Sequence, residues 1–193
     1  MTGIVNSTGA RSGVIGTIVG TPAPSAGVVQ VQFRGLDTTQ VIGDGGSSGM
    51  TFTNIGVGVS GEEFSIDMSV SSGNKVIGFC NVNIGGNSRY NGIQVYMDST
   101  KIACGTETGT SRSNLTVSSM DNTSATSSDV IMFNSSFSFN YTPADTSSHT
   151  YAVKAANTND GTAKTYINMP LNQTNSNYIH RGYSSFILME VKQ

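Results

Sequence analysis

From residue 28 onward, apolar and polar residues alternate with a period of two, the signature of strands with one face buried. Val29, Val31 and Phe33 share one side of the first such run, and Gln30, Gln32 and Arg34 the other. Phe64-Ser65-Ile66-Asp67-Met68-Ser69-Val70 repeats the pattern with its apolar residues on one face. Ser72-Gly73-Asn74 then signals a turn, because Gly and Asn tolerate turn backbone angles. Lys75 to Ile84 is apolar on both sides near its start, with Val76, Ile77 and Phe79, which predicts a central strand covered on both faces. Ile93, Val95 and Met97 alternate with polar neighbours; Asp98-Ser99-Thr100-Lys101 closes a turn, and Ile102-Ala103-Cys104 returns. Leu115 and Val117 mark a short strand, and Val130 to Phe133 is an apolar run leading into Phe137, Phe139 and Tyr141. Pro143-Ala144-Asp145 breaks that strand, and Tyr151, Val153 and Ala155 begin another. Asn159-Asp160-Gly161 predicts a hairpin, since Asp-Gly accepts positive φ, with Thr165 to Met169 coming back from it. Ser184 to Val191 is apolar on both faces, so it is central or also faces a neighbouring subunit.

No segment carries a convincing helical period. Many short strands with turn signals about every ten residues predict an all-β fold, a β-sandwich or jelly roll, over residues 28 to 193. Residues 1 to 27 differ. They are rich in Gly, Ser and Thr, end near Pro22-Ala23-Pro24, and hold no lasting period. They predict an extended N-terminal arm and a Pro-stiffened linker. Its scattered apolar residues have no core of their own, which suits a segment lying on a partner.

Composition narrows the function. Of the 193 residues only 11% are charged, against about 25% in ordinary soluble domains. Ser and Thr together make up roughly a quarter of the chain, a strong departure from globular norms. Hydroxyls and amides must therefore solvate the surface, or much of it is buried in an assembly. The net charge of −2 offers no basic excess for phosphates, which excludes nucleic acid as an expected partner. No apolar run approaches the length of a membrane span. The first residues, Met1-Thr2-Gly3-Ile4-Val5-Asn6, lack the charged and apolar stretches of a secretory signal, which predicts a chain left in a cytoplasm. Cys80 and Cys104 are expected to be small buried thiols on strands; whether they pair depends on their separation in space.

No motif points to catalysis, a metal or a cofactor. Gly43-Asp44-Gly45-Gly46-Ser47-Ser48-Gly49 lacks the strand and helix that expose a hydrolytic serine. A serine nucleophile also needs a histidine base; of the two histidines, His149 is expected in a turn and His180 in a loop. Asn157 to Gly161 lacks the carboxylate spacing of a calcium loop. Glu62-Glu63 reads as a solvated turn. The sequons at Asn6, Asn114, Asn122, Asn134, Asn140 and Asn172 are expected by chance in a chain this rich in Asn, Ser and Thr. Asn177 to Tyr183 is different. It places Tyr178, His180, Arg181 and Tyr183 in one loop before the last strand, and amphipathic aromatics and Arg are preferred at binding hot spots. That makes it a candidate recognition loop.

Lys75 to Gly86 and Gly92 to Gly105 together show an apolar strand, a Gly-rich hairpin, a second strand ending in charge, a Ser-Thr turn, then Ile and Gly. Thr150-Tyr151-Ala152-Val153-Lys154, Thr165-Tyr166-Ile167-Asn168 and the ending Ser184 to Val191 continue that pattern. Gly9 to Gly16 looks like an arm motif preceding such a body. These segments resemble small β-domain virion proteins of tailed bacteriophages, many from marine and freshwater hosts. The match is poor over 36 to 60 and 106 to 129. It departs from the family's pattern at Met169-Pro170, where an Arg is usual.

The resemblance implies a structural protein with no enzymatic activity and no cofactor, a jelly-roll knob assembled as a homotrimer. It implies a place on a virus particle assembled in the host cytoplasm, which also accounts for a cytoplasmic chain with a particle-surface composition. The leading expectation is a capsid decoration or cement protein. Its arm, through Arg11, Val14, Ile15, Ile18 and Val19, would grip the shell formed by the major capsid protein. The rival expectation is a tail-fibre or receptor-binding tip, with Tyr178, His180, Arg181 and Tyr183 reading a host-surface glycan.

Overall fold

The computed structural model describes residues 27–43, 50–56, 63–86, 91–106, 114–119, 132–157, 164–170 and 181–193. Among these residues every regular element is a strand. In chain order they are Val28–Leu36 (β1), Gln40–Ile42 (β2), Thr53–Asn54 (β3), Ser65–Ser69 (β4), Lys75–Gly86 (β5) and Asn91–Met97 (β6). Thr100–Ile102 (β7), Val117–Ser119 (β8), Phe133–Tyr141 (β9), Ser148–Asn157 (β10), Thr165–Ile167 (β11) and Ser184–Val191 (β12) follow. The all-β expectation holds. The expected arm residues Arg11, Val14, Ile15, Ile18 and Val19 lie outside the described residues.

The strands form two antiparallel sheets. In the first, the N-terminal part of β5 pairs with β12 and its C-terminal end with β11, while β9 pairs along its other edge. β1 flanks β12, and β2 flanks β11. Thus β1 and β2 run end to end in one lane, and β11 and β12 in the next. The second sheet repeats the device. β3 and β4 share one edge of β10, and β7 and β8 share the far edge of β6. The chain leaves a lane and rejoins it, and a backbone bond closes the gap: Phe64 N to Ile55 O (2.9 Å) in one, Gly105 N to Leu115 O (3.4 Å) in another. Counted as lanes in chain order, the first sheet reads one-eight-three-six and the second two-seven-four-five.

Most connections cross between sheets. The predicted hairpin at 159–161 lies outside the described residues, and its flanking strands, β10 and β11, belong to different sheets. The same holds for the Gly-rich link between β5 and β6. The reason is that turn residues specify a reversal but not its partner, and neighbouring strands of a core wrapped by two sheets can bond in either. The β6–β7 link at Asp98-Ser99 is a hairpin as expected. The strand ends at Ile42, Gly86, Asn91, Ser119, Phe133, Asn157 and Thr165 share one end. Gly27, the C-terminus and the 70–74 and 142–147 turns share the opposite end.

One core lies between the sheets. Phe186, Leu188, Val76, Val82 and Ile84 of the first face Ile93, Val95, Tyr151 and Val153 of the second. Phe186 meets Phe64 at 5.9 Å and Phe139 at 6.4 Å between ring centroids. Each such side chain, fully buried, contributes about 1.5–3 kcal/mol. Gly78 makes room for the Phe139 ring, since a Cβ there would sit 2.1 Å from it. Cys80 is buried on β5, where burial pushes its thiol pKa up. Cys104 follows β7 rather than lying on a strand, is half-buried, and both thiols are free.

Asn168 joins the split lane. It is fully buried with φ of 58°, a left-handed conformation that Asn tolerates better than most residues. Its Nδ2 donates to the carbonyls of Leu36 (2.8 Å) and Thr38 (3.0 Å) in the neighbouring lane. Its Oδ1 accepts from Ser184 Oγ (2.6 Å), where β12 begins. Its backbone N donates to Asn83 O and its carbonyl accepts from Gly182 N, both at 2.9 Å. The gap between β11 and β12 is thereby sewn to three lanes.

Candidate functional site

In β1 it is the polar side of the alternation that faces in. Val31 and Phe33 are 56% and 58% exposed, while Gln30, Gln32 and Arg34 turn towards the interior and its rim. The cause is a buried carboxylate. Glu190 of β12 shares the inner face with Phe186 and Leu188 and is 1% exposed. Gln30 Nε2 donates to its Oε2 (2.7 Å), and Ser71 N (2.8 Å) and Asn74 Nδ2 (2.6 Å) donate to its Oε1. Gln30 Nε2 also reaches Ser69 O at 2.7 Å. Desolvation pushes the carboxyl pKa up, but the hydrogen bonds from Gln30, Asn74 and Ser71 outweigh it and hold it at about 2. Arg34 Nε donates to Glu63 O (2.8 Å) in the same sense. Because strand side chains alternate, an inward Gln30 commits Val31 and Phe33 to the outside.

The outer face so created is apolar across three lanes. In register, Val31, Met189 and Ile77 form one row, and Phe33, Ile187 and Phe79 the next. Phe79 is 44% exposed, and Val28 and Val29 extend the patch towards the terminus. Among the described residues β5 is central in its sheet but covered on its inner side alone, with Phe79 open on the outer side. The two-faced character expected of β12 is present, with Ile187, Met189 and Val191 half-buried on the outside.

Polar groups border the patch. β9 turns Asn134, Ser136, Ser138 and Asn140 outward. Asn134 Nδ2 donates to Asn81 Oδ1 and to Asn83 Oδ1 (3.1 Å), and Ser136 Oγ donates to Asn134 Oδ1 (2.6 Å). A shallow hollow of about 400 Å³ lies here, lined by Phe79, Phe137, Ile187, Asn81, Ser136 and Ser138 among others.

Of the expected recognition loop, Tyr178 and His180 lie outside the described residues. Arg181 and Tyr183 are exposed. Tyr183 lies across Gly35 of β1, whose Cβ would sit 1.8 Å from the phenol oxygen, and its carbonyl accepts from Asn83 Nδ2 (2.7 Å). The ring thus extends the apolar face beyond Phe33. The outer side of the second sheet contrasts with this. Leu115 and Met50 lie over Gly92, Asn114 O accepts from the buried Gln94, and Lys154 Nζ stands 4.1 Å from the Tyr96 ring centroid. Among the described residues, one outer face is dressed by its own chain and the other is bare.

His149 lies on β10, not in a turn. Its Nδ1 is 2.7 Å from Asp98 Oδ2 and its Nε2 3.0 Å from Asp145 Oδ1, so both ring nitrogens are engaged. Hydrogen bonding to Asp98 is the main cause of its raised pKa. The arrangement is a clamp between two turns. Among the described residues no cluster of His, Cys, Asp and Glu could hold a metal ion, and no helix is long and apolar enough to cross a membrane. No protein-family model matches this chain, and no curated protein matches it.

Sequence reasoning did not single out Phe33, Phe79, Glu190 or Asn168. A signal existed for Glu190, the one charged residue in an apolar strand and on the same side as Phe186 and Leu188. Phe33 carried none, because the alternation of β1 reads the same whichever side faces in.

Proposed function

We propose that this chain is a structural protein of a bacteriophage virion, a homotrimeric capsid decoration or cement protein with a jelly-roll knob and residues 1 to 27 as its anchor on the major capsid protein. The observation that carries the reading is the lane order one-eight-three-six facing two-seven-four-five. An eight-stranded jelly roll winds in that order, and jelly rolls recur in viral capsid and lectin domains. The chain ends support it too. Gly27, whose carbonyl accepts from Lys192 N at 2.9 Å, sits at the end opposite Gly86, Asn91, Asn157 and Thr165, so an anchor and an outward tip would be separated. The low charge and the bare apolar face suit a surface buried in an assembly.

Electron microscopy of phage particles labelled with an antibody to residues 28 to 193 tests the reading. Label spread over the heads, with copies on the scale of the major capsid protein, is the expected result. Particles without label would refute a virion role. The exposed Arg181 and Tyr183 favour one second reading, a tail-fibre or receptor-binding tip that recognises a host-surface glycan. Label confined to the tail would put that reading first.

A further inference from the structure

We propose that the outer face of the first sheet, centred on Phe33 and Phe79, is a self-association interface covered by a second copy of this chain. The inference rests on the homo-oligomer proposed above and names the contact that builds it.

The fold enforces the exposure. Gln30 is held inward by Glu190 and Ser69, so Phe33 and Val31 cannot turn into the core without leaving the buried Glu190 Oε2 without its donor. Removing the partner of a buried charge costs several kcal/mol, enough to offset the roughly 1.5–3 kcal/mol that each of Val31 and Phe33 would gain by full burial. The size of the face suits a protein partner. Given about 150–250 Å² for an aromatic side chain, the exposed parts of Val28, Val29, Val31, Phe33, Phe79 and Tyr183 come to roughly 600 Å². A standard interface takes about 800 Å² per partner, and the half-buried Ile77, Ile187, Met189 and Val191 supply much of the difference.

The chemistry favours the same chain. The centre of the face carries no charge, as interface cores require, and Lys75 stands only at its margin. Phe33 projects as a knob, and the hollow beside Phe79 and Ile187 offers an apolar floor with a hydroxyl and amide rim. One surface thus holds both a knob and a hole, the property that lets identical copies meet.

Analytical ultracentrifugation of the full chain at 1–100 µM tests this, with Phe33→Asp, Phe79→Asp and, as a variant far from the face, the exposed Lys101→Asp on the second sheet. Far-UV circular dichroism and thermal melting check that each variant folds. The wild type and Lys101→Asp should sediment as the same oligomer, and Phe33→Asp and Phe79→Asp as folded 20.1 kDa monomers. A wild type that is monomeric at 100 µM overturns both the oligomer and its interface; it is the result expected if residues 1 to 26 cover the face within one chain. Oligomers that persist in both Phe variants overturn the interface alone. Dissociation of Lys101→Asp as well would also overturn it, by placing the contact on the second sheet.

Discussion

Replacing Asn168 with alanine removes three side-chain hydrogen bonds at a fully buried site. Two of them, to Leu36 O and from Ser184 Oγ, are themselves buried, and the third reaches Thr38 O. A buried polar group left without a partner costs about 1–3 kcal/mol. Ala at φ of 58° adds about 1 kcal/mol, because its Cβ crowds the carbonyl. The expected loss is about 3–5 kcal/mol, a large part of the 5–15 kcal/mol that stabilises a typical domain. At roughly 2–4 °C per kcal/mol for a chain of this size, the melting temperature should fall by about 10 °C. Urea unfolding followed by far-UV circular dichroism reads the effect directly, since the chain has no Trp to report by fluorescence. The midpoint should drop with the slope unchanged. Asn168→Gly separates the parts: it loses the same hydrogen bonds but relieves the left-handed strain, so it should be about 1 kcal/mol more stable than the alanine variant. An alanine variant within 1 kcal/mol of wild type would refute the claim that this side chain joins the split lane.

Glu190 has a folded pKa of about 2, below its ordinary 4.5, so its contribution is present above 4.5 and lost as pH falls through about 2. Stability measured by urea unfolding across that window should fall in wild type and change less in Glu190→Gln, which should also be weaker at neutral pH because an amide cannot accept from all three donors. The raised pKa of His149 acts in the opposite sense: its stabilisation is complete below 6.5 and disappears as pH rises through the raised value. Melting temperature across pH 5 to 9 should therefore decline in wild type and stay flatter in His149→Gln. Glycine substitutions distinguish a packed ring from a movable one. Gly78→Ala forces a methyl against Phe139 in the core and should cost about 1–3 kcal/mol by thermal melting. Gly35→Ala meets only the exposed Tyr183 phenol, which can swing away, so its cost should stay below about 0.5 kcal/mol despite the closer approach.

The period-two pattern alone determined that the described residues form an all-β fold, where most of its strands lie, and that β12 has two apolar faces. These features follow from backbone geometry, which puts successive side chains on opposite sides whatever the strand pairs with. The low charge alone pointed to a surface solvated by hydroxyls and amides or buried in an assembly. Pairing is a different matter. Asn159-Asp160-Gly161 announces a reversal, but only the closed core decides that β10 and β11 enter different sheets. The sense of β1 was equally hidden, because Gln30 becomes an inward residue only when Glu190, 160 positions away, stands beside it and needs donors. Asn168 looks like an ordinary turn residue until Leu36, Thr38, Asn83 and Ser184 converge on it from three lanes. Each of these decisions depends on partners distant in the chain, whose hydrogen-bonding needs no local pattern records; those needs turn the polar side of β1 inward and its apolar side out.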